Sequence, residues 1–244
     1  MFKKFINRAR QQRREALNEY YNKIYATVND EAARDVRWLP LAEGGSSGMT
    51  YALKKSGPGH YRFEPGWFLK ILAHTPLFLG SALLVRQLYR LAVAEDLTSL
   101  WGAVAFWGAV ALVLIVVGLF SLRHIYSAPT VELTRGQISR KHMPMPAFFE
   151  RLFPGKNYYR ISFDDVLALQ ILAERCSSQD DSSARTFISY ELILVLKKRK
   201  RVLLVDHGNL EVIQSDARTL SSLLGVPVWD GSAHPLESLL VRPF

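Results

Sequence analysis

Five consecutive cations, Lys197, Lys198, Arg199, Lys200 and Arg201, stand between two apolar runs of the chain. Clustered ammonium and guanidinium groups bind phosphate through charge-assisted hydrogen bonds, so this cluster is a candidate contact for phospholipid or for a protein partner. Strand geometry limits what it can do. Alternate side chains of a hairpin leave on opposite sides, and five cations cannot all converge on one pocket. The pattern therefore favours graded attraction to an anionic surface over a single headgroup site. A second basic set lies near the amino end, where Lys3, Lys4, Arg8 and Arg10, followed by Arg13 and Arg14, occur with no acid among them.

Catalytic patterns are weaker. Asp206-His207, inside VDHGN, has the residue types of a general base and its orienter, which would need a nucleophile facing them. The same residues also read as strand exit, turn and helix cap, with Gly208 taking the turn and Asn209 holding a backbone N–H. That reading needs no missing partner and is preferred. Cys176, His142, His207 and His234 show none of the short spacings that zinc ligation uses. Asp164-Asp165 and Asp180-Asp181 are adjacent pairs, whose side chains diverge on a strand and suit turns. The run GGSSG lacks the lysine, preceding strand and following helix of a phosphate loop. A single cysteine, Cys176, excludes an internal disulfide and suits a reducing compartment. The expectation is a binding protein: no catalytic residues, no metal, no cofactor, no small-molecule substrate.

The elements that must position these residues begin with a membrane. Residues 100–120, LWGAVAFWGAVALVLIVVGLF, carry no charge and are long enough as a helix to cross a hydrocarbon core of roughly 30 Å. Residues 67–85 form a second apolar stretch, one short polar loop upstream. Its Lys70 can snorkel, its Pro76 kink can be accommodated by a neighbouring helix, and its His74 calls for a polar partner unless the hydrophobic core begins only at Thr75 and runs on to Tyr89. The two predict a helical hairpin, in which Gly102, Gly108 and Gly118 with Ala105 and Ala109 would let another helix, the first span or a partner's, approach closely. Neither reads as a cleaved signal peptide, since each lies far from Met1 without a small-residue cleavage context. Lys54, Lys55 and Arg62 precede the first span; Arg123, Arg135, Arg140 and Lys141 follow the second; the loop offsets Arg86 and Arg90 with Glu95 and Asp96. The positive-inside rule then predicts a multi-pass protein of a bacterial inner (plasma) membrane with both termini cytoplasmic. The net charge of +9 follows from this arrangement, and nucleic-acid binding is not required.

The remaining segments divide by composition. Residues 1–30 read as a basic amphipathic helix, with Phe2, Phe5, Ile6 and Ala9, then Ala16, Tyr20, Ile24 and Val28, at helical spacing. So thin a stripe could lie on an anionic leaflet or pack on the protein's own soluble domain. Residues 31–66 read as a Gly-rich linker with short strands at 49–53 and 60–63. The two spans fill 67–123. Residues 128–230 hold strands predicted at 130–133, 137–141, 158–163, 166–174, 185–198 and 201–205, with an aromatic insert at 148–155. A helix over 210–224 follows, capped by Asn209, stopped by Gly225 and Pro227, and carrying Val212, Ile213, Ala217, Leu220, Leu223 and Leu224 on one face. Residues 231–244 are a tail. The fold class expected is a membrane α-helical hairpin plus an α+β cytoplasmic domain, the latter an antiparallel β-barrel of pleckstrin-homology-like (PH-like) type capped by the carboxy-terminal helix.

The stretch ELILVLKKRKRVLLVDHGNLEVIQSDARTLSSLLGVPVWD resembles the ending of bacterial membrane proteins with a PH-like domain. The two spans before it, and the phrase FPGKNYYRISFDDVLALQI, are similar to the photosystem I assembly factor family of chloroplasts and cyanobacteria. The likeness covers the spans and the carboxy-terminal domain, leaving the first 66 residues without a counterpart. It implies a non-enzymatic scaffold or assembly factor that binds another membrane protein complex at an anionic phospholipid surface. The alternative is a phospholipid-binding module that uses the basic hairpin tip.

Overall fold

The computed structural model describes residues 2–42, 45–48, 50–93, 101–140, 159–177 and 186–237, without the side chains of residues 2–14. The chain forms two compact units, one of Met1–Tyr61, Val131–Ile138 and Ile161–Phe244, the other of Arg62–Thr130 and Ser139–Arg160. The predicted aromatic insert, His142, Asp180-Asp181 and the loop acids Glu95 and Asp96 lie outside the described residues.

The second unit is built on two helices, α2 (Trp67–Val93) and α3 (Trp101–Tyr126), both long and apolar enough to cross a membrane. Buried residues recur along each at intervals of seven: Ala73, Gly80 and Gln87 on α2, and Val104, Ala111, Gly118 and Ile125 on α3, with Leu122 beside them. That interval keeps one narrow seam of each helix facing the other. Small side chains then set the distance. A Cβ on Gly118 would lie 2.6 Å from the Leu77 nitrogen, and one on Gly80 would lie 2.8 Å from the Ala111 carbonyl oxygen. Of the small residues expected at the seam, Gly118 is there; Gly102 and Gly108 face open space, and Ala105 and Ala109 are exposed. Only the positions in step with Gly118 meet the partner, and Gly80 and Ala111 take the places expected of the others. His74 Nδ1 donates to the Lys70 carbonyl (2.6 Å) and its ring meets Tyr126 edge-on at 6.1 Å. The Lys70 ammonium stands 3.8 Å from Glu64.

Strands form two five-stranded sheets. The first runs β1 (Tyr51–Gly57), β2 (His60–Pro65), β3 (Pro129–Glu132), β4 (Gln137–Arg140), β5 (Tyr159–Ser162). Its tight turns use Gly59 and Gly136, both in the left-handed region at φ 69° and 57°. The second holds β6 (Val166–Ser177), β7 (Thr186–Leu196) and β8 (Arg201–His207) as an antiparallel meander. On the other edge of β6, β9 (Val228–Asp230) and then β10 (Leu236–Glu237) pair in parallel. This corrects the barrel expectation. Among the described residues the strands stay in two open sheets, one ending in β1 and β5 and the other in β8 and β10, and no barrel closes.

Helix α4 (Leu210–Leu224) follows β8 as predicted, with Asn209 Oδ1 accepting from Val212 N and Gly225 ending it at φ 68°. Ile213, Ala217 and Leu220 are fully buried; Val212, Leu223 and Leu224 are only partly so. The amino-terminal helix α1 (Phe2–Thr27) contributes Tyr20 and Ile24 to a core that continues with Val28, Val36 and Trp38 and packs on Ala168, Leu172, Ile193, Val195 and Trp229. The part of α1 whose side chains are described thus spends its apolar stripe on the second sheet, and the residues expected to be a linker share that sheet's core.

Candidate functional site

The basic tip is the turn between β7 and β8, and the structure divides its five cations. Arg199 takes a left-handed backbone (φ 61°), which aims its guanidinium at the amino-terminal segment: Nη1 donates to the Ala32 carbonyl at 2.7 Å and Nη2 meets Asp35 Oδ2 at 2.8 Å. Arg201 donates to the Leu39 carbonyl (2.7 Å) and to Gln170 Oε1 (3.4 Å). A planar guanidinium can hold two acceptors at once, and both arginines do so. Lys197, Lys198 and Lys200 stay exposed. Lys3, Lys4, Arg8 and Arg10 lie on the first turns of α1.

Those arginines belong to a larger clasp. Glu191, buried on β7, accepts from the backbone nitrogens of Leu41 (2.8 Å) and Ala42 (2.6 Å). Ser189 Oγ accepts from Ser46 N, Gln170 Nε2 donates to the Arg37 carbonyl, and Asp216 on α4 accepts from Leu53 N. Thr50 Oγ1 donates to the Asp206 carbonyl, and Gly208 N to the Gly48 carbonyl. The described residues between 32 and 53 are therefore strapped along the sheet by side chains of β6, β7, β8, the β7–β8 turn and α4. The approach is close enough to demand glycine. A Cβ on Gly45, itself at φ 56°, would lie 2.5 Å from Ser189 Cβ, and one on Gly208 2.4 Å from the Ser47 carbonyl carbon.

Burial raises Glu191 to about 7, a shift that its two backbone hydrogen bonds oppose and that Glu174 and Asp206 reinforce. Burial likewise raises Asp216 to about 6 against its bond from Leu53. His207 is buried, its Nδ1 accepts from Asn209 N at 2.8 Å, and burial lowers its pKa. The imidazole serves the turn into α4, a role beyond the Asn209 cap that VDHGN predicts. Among the described residues, no three of His, Cys, Asp and Glu sit close enough to hold a metal ion.

A cavity of about 600 Å³ opens where the end of α1, the start of α4 and β9 meet. Val28, Leu210 and Pro227 make it apolar, and Asp30 and Asp230 are its charged residues. Both carboxylates are fixed. Asp30 accepts from Ala32 N (2.9 Å) and from Trp229 Nε1 (2.8 Å), while Asp230 accepts from Gln214 Nε2 and Ser232 N, each at 2.9 Å. Sequence reasoning did not find this cavity. No local pattern marks Asp30 or Asp230, and the Asp30–Trp229 contact spans 199 positions.

Fold and site together define a mixed α+β protein with two apolar helices long enough to cross a membrane. Compared with known proteins, the chain matches no family model and no curated protein.

Proposed function

We propose that this chain is an integral inner-membrane scaffold or assembly factor, anchored by α2 and α3, whose α+β unit binds another membrane protein complex. The carrying observation is the outward face of the helix pair. Trp67, Phe68, Phe78, Leu79, Phe106, Leu112 and Val113 are all more than half exposed, while the seam between the helices is closed by Ala73, Gly80, Ala111 and Gly118. In water that surface would be a large apolar patch; in lipid it is the expected face. Aromatic residues at both ends of the pair, Trp67 and Phe68 with Tyr126 and Tyr89 with Trp101, suit the two interfaces. The excess of Lys and Arg outside the loop favours both termini in the cytoplasm. The sequence resemblance of residues 191–230 to the ending of PH-like membrane proteins, with the likeness to photosystem I assembly factors, favours a binding role over catalysis, and the cavity beside Asp30 and Asp230 offers a place for a partner to insert. With Arg199 and Arg201 engaged on residues 32–39, the three exposed lysines suit loose attraction to an anionic leaflet better than a headgroup pocket.

Reporter fusions in the loop at residue 94 and at the carboxy terminus should report opposite sides of the membrane; the same side would overturn the two-span anchor. A photo-crosslinking residue at Ala233, on the exposed rim of the cavity, should capture a stoichiometric membrane complex in intact cells. Capture no greater than from Lys198 would overturn docking at the cavity.

A further inference from the structure

The carboxy-terminal end of α3 carries more positive charge than the helix can use. Arg62, from β2, donates through Nη2 to the Tyr126 carbonyl at 2.6 Å, and its guanidinium carbon lies 6.0 Å from the centre of the Tyr126 ring. Arg140, from β4, donates through Nε to the next carbonyl, Ser127, also at 2.6 Å. Two full positive charges thus meet a helix end worth about half a negative charge. Neither guanidinium has a carboxylate within ion-pair distance among the described residues; Glu64, two positions from Arg62, stands against Lys70. Each guanidinium holds five N–H donors, and the helix end takes one nitrogen of each.

Two buried polar atoms at this end are left without a hydrogen-bond partner among the described residues: Arg62 Nε and the Tyr159 hydroxyl. Tyr159 sits on β5, the neighbour of β4, where Arg140 lies near enough to act on it electrostatically. Burial pushes its hydroxyl above the usual range, so it stays a protonated donor. Buried donors are almost always satisfied, and a pair of orphans beside surplus guanidinium charge calls for an anionic acceptor with several oxygens. Its depth identifies the source. Trp67 and Phe68, 71% and 60% exposed, begin α2 at the end of the pair where Tyr126 closes α3, and such aromatic rings mark the headgroup level of a bilayer.

We propose that Arg62, Arg140 and Tyr159 hold the phosphate of one phospholipid headgroup at the end of α3. The site is separate from the hairpin tip, and it rests on the reading that α2 and α3 span the membrane. Phosphate oxygens take the donors that the helix carbonyls leave over, and the acyl chains lie along the exposed apolar face of the pair.

The test is native mass spectrometry of the full chain purified from membranes in mild detergent, with alkaline carbonate extraction of the same membranes run beside it. One co-purifying phospholipid is expected. Occupancy should fall about tenfold in Arg62→Gln/Arg140→Gln, the fold-change that the loss of about 1.4 kcal/mol produces. It should fall several-fold in Tyr159→Phe, which leaves both helix caps in place and covers the case in which the double variant fails to fold. Substitution of Lys197, Lys198 and Lys200 by Gln should leave occupancy unchanged. Unchanged occupancy in Tyr159→Phe and the double variant, or no bound phospholipid in a chain that resists carbonate, would overturn the lipid site alone. Release of the chain by carbonate would overturn the membrane reading beneath it. Displacement of the lipid by millimolar inorganic phosphate would overturn the lipid assignment in favour of a free-phosphate site.

Discussion

The helix pair and the strapped sheet are held together by opposite means. Between α2 and α3 the seam consists of absences: no side chain at Gly80 or Gly118 and a single methyl at Ala73 and Ala111, so that backbones touch. In the other unit, the clasp over the described residues between 32 and 53 consists of additions, with Glu191, Ser189, Gln170, Asp216, Arg199 and Arg201 each reaching for backbone. On the proposed membrane reading, the difference follows from solvent. Apolar side chains gain nothing by leaving lipid for one another, so shape must do the work. A unit in water gains from burying Trp38 and Trp229, and then has to satisfy every backbone group that burial takes from water.

The sharpest way to break this contrast is to damage each side alone. Leu220→Ala, at a fully buried site on α4, should cost about 2–5 kcal/mol. In the full chain in detergent, it should lower hydrogen-exchange protection of β6 and β7 while leaving α2 and α3 protected. Loss in both places would show that the two units share one stability. Gly118→Leu should do the reverse at about 1–3 kcal/mol or more, since its Cβ would meet the Leu77 nitrogen at 2.6 Å and the Leu77 Cβ at 2.7 Å, atoms that cannot swing aside. Protection unchanged along α2 would mean that the seam is looser than its geometry.

A third comparison uses pH. Glu191 titrates near 7 in the folded chain against 4.5 when unfolded, so its contribution to stability is complete below about pH 4.5 and is lost as pH rises through about 7. Protection of the sheet should therefore increase on acidification across that window, by at most about 1.4 kcal/mol per pH unit from this group. Glu191→Gln should flatten the slope, and an unaltered slope would assign it to Asp216 or another group. The helix pair should show no matching trend. The smallest effect belongs to the tip. Alanine at Lys197, Lys198 and Lys200 should move stability by no more than about 0.5 kcal/mol, yet lower affinity for anionic liposomes stepwise. Abolition of binding by one of the three would show a specific pocket.

What was legible in the sequence was local. The two apolar helices, the β3–β4 and β7–β8 hairpins and α4 with its Asn209 cap rest on periodicity and on turn or cap residues within a few positions of each other. The seam was half legible, because small residues are visible in a sequence but the side of the helix on which they fall is not: Gly118 was found, while Gly102 and Gly108 face away. The separate second sheet, the clasp and the acidic cavity were not legible. Nothing near Glu191 says that it caps Leu41 across 150 positions, and the parallel pairing of β9 and β10 to β6 is decided by an edge that only the assembled sheet has.

The clasp also sets an order of events during synthesis. Residues 29–53 leave the ribosome before both apolar helices, whereas the strands and α4 that hold them come after. At roughly 5–20 residues per second, Leu41 waits on the order of 10–30 s for Glu191 to be made. Throughout that interval the amino-terminal segment has no sheet to lie on, and α2 and α3 have already been translated. The clasp can close only after α2 and α3 have been synthesised, so its assembly reports that translation has run past both apolar helices.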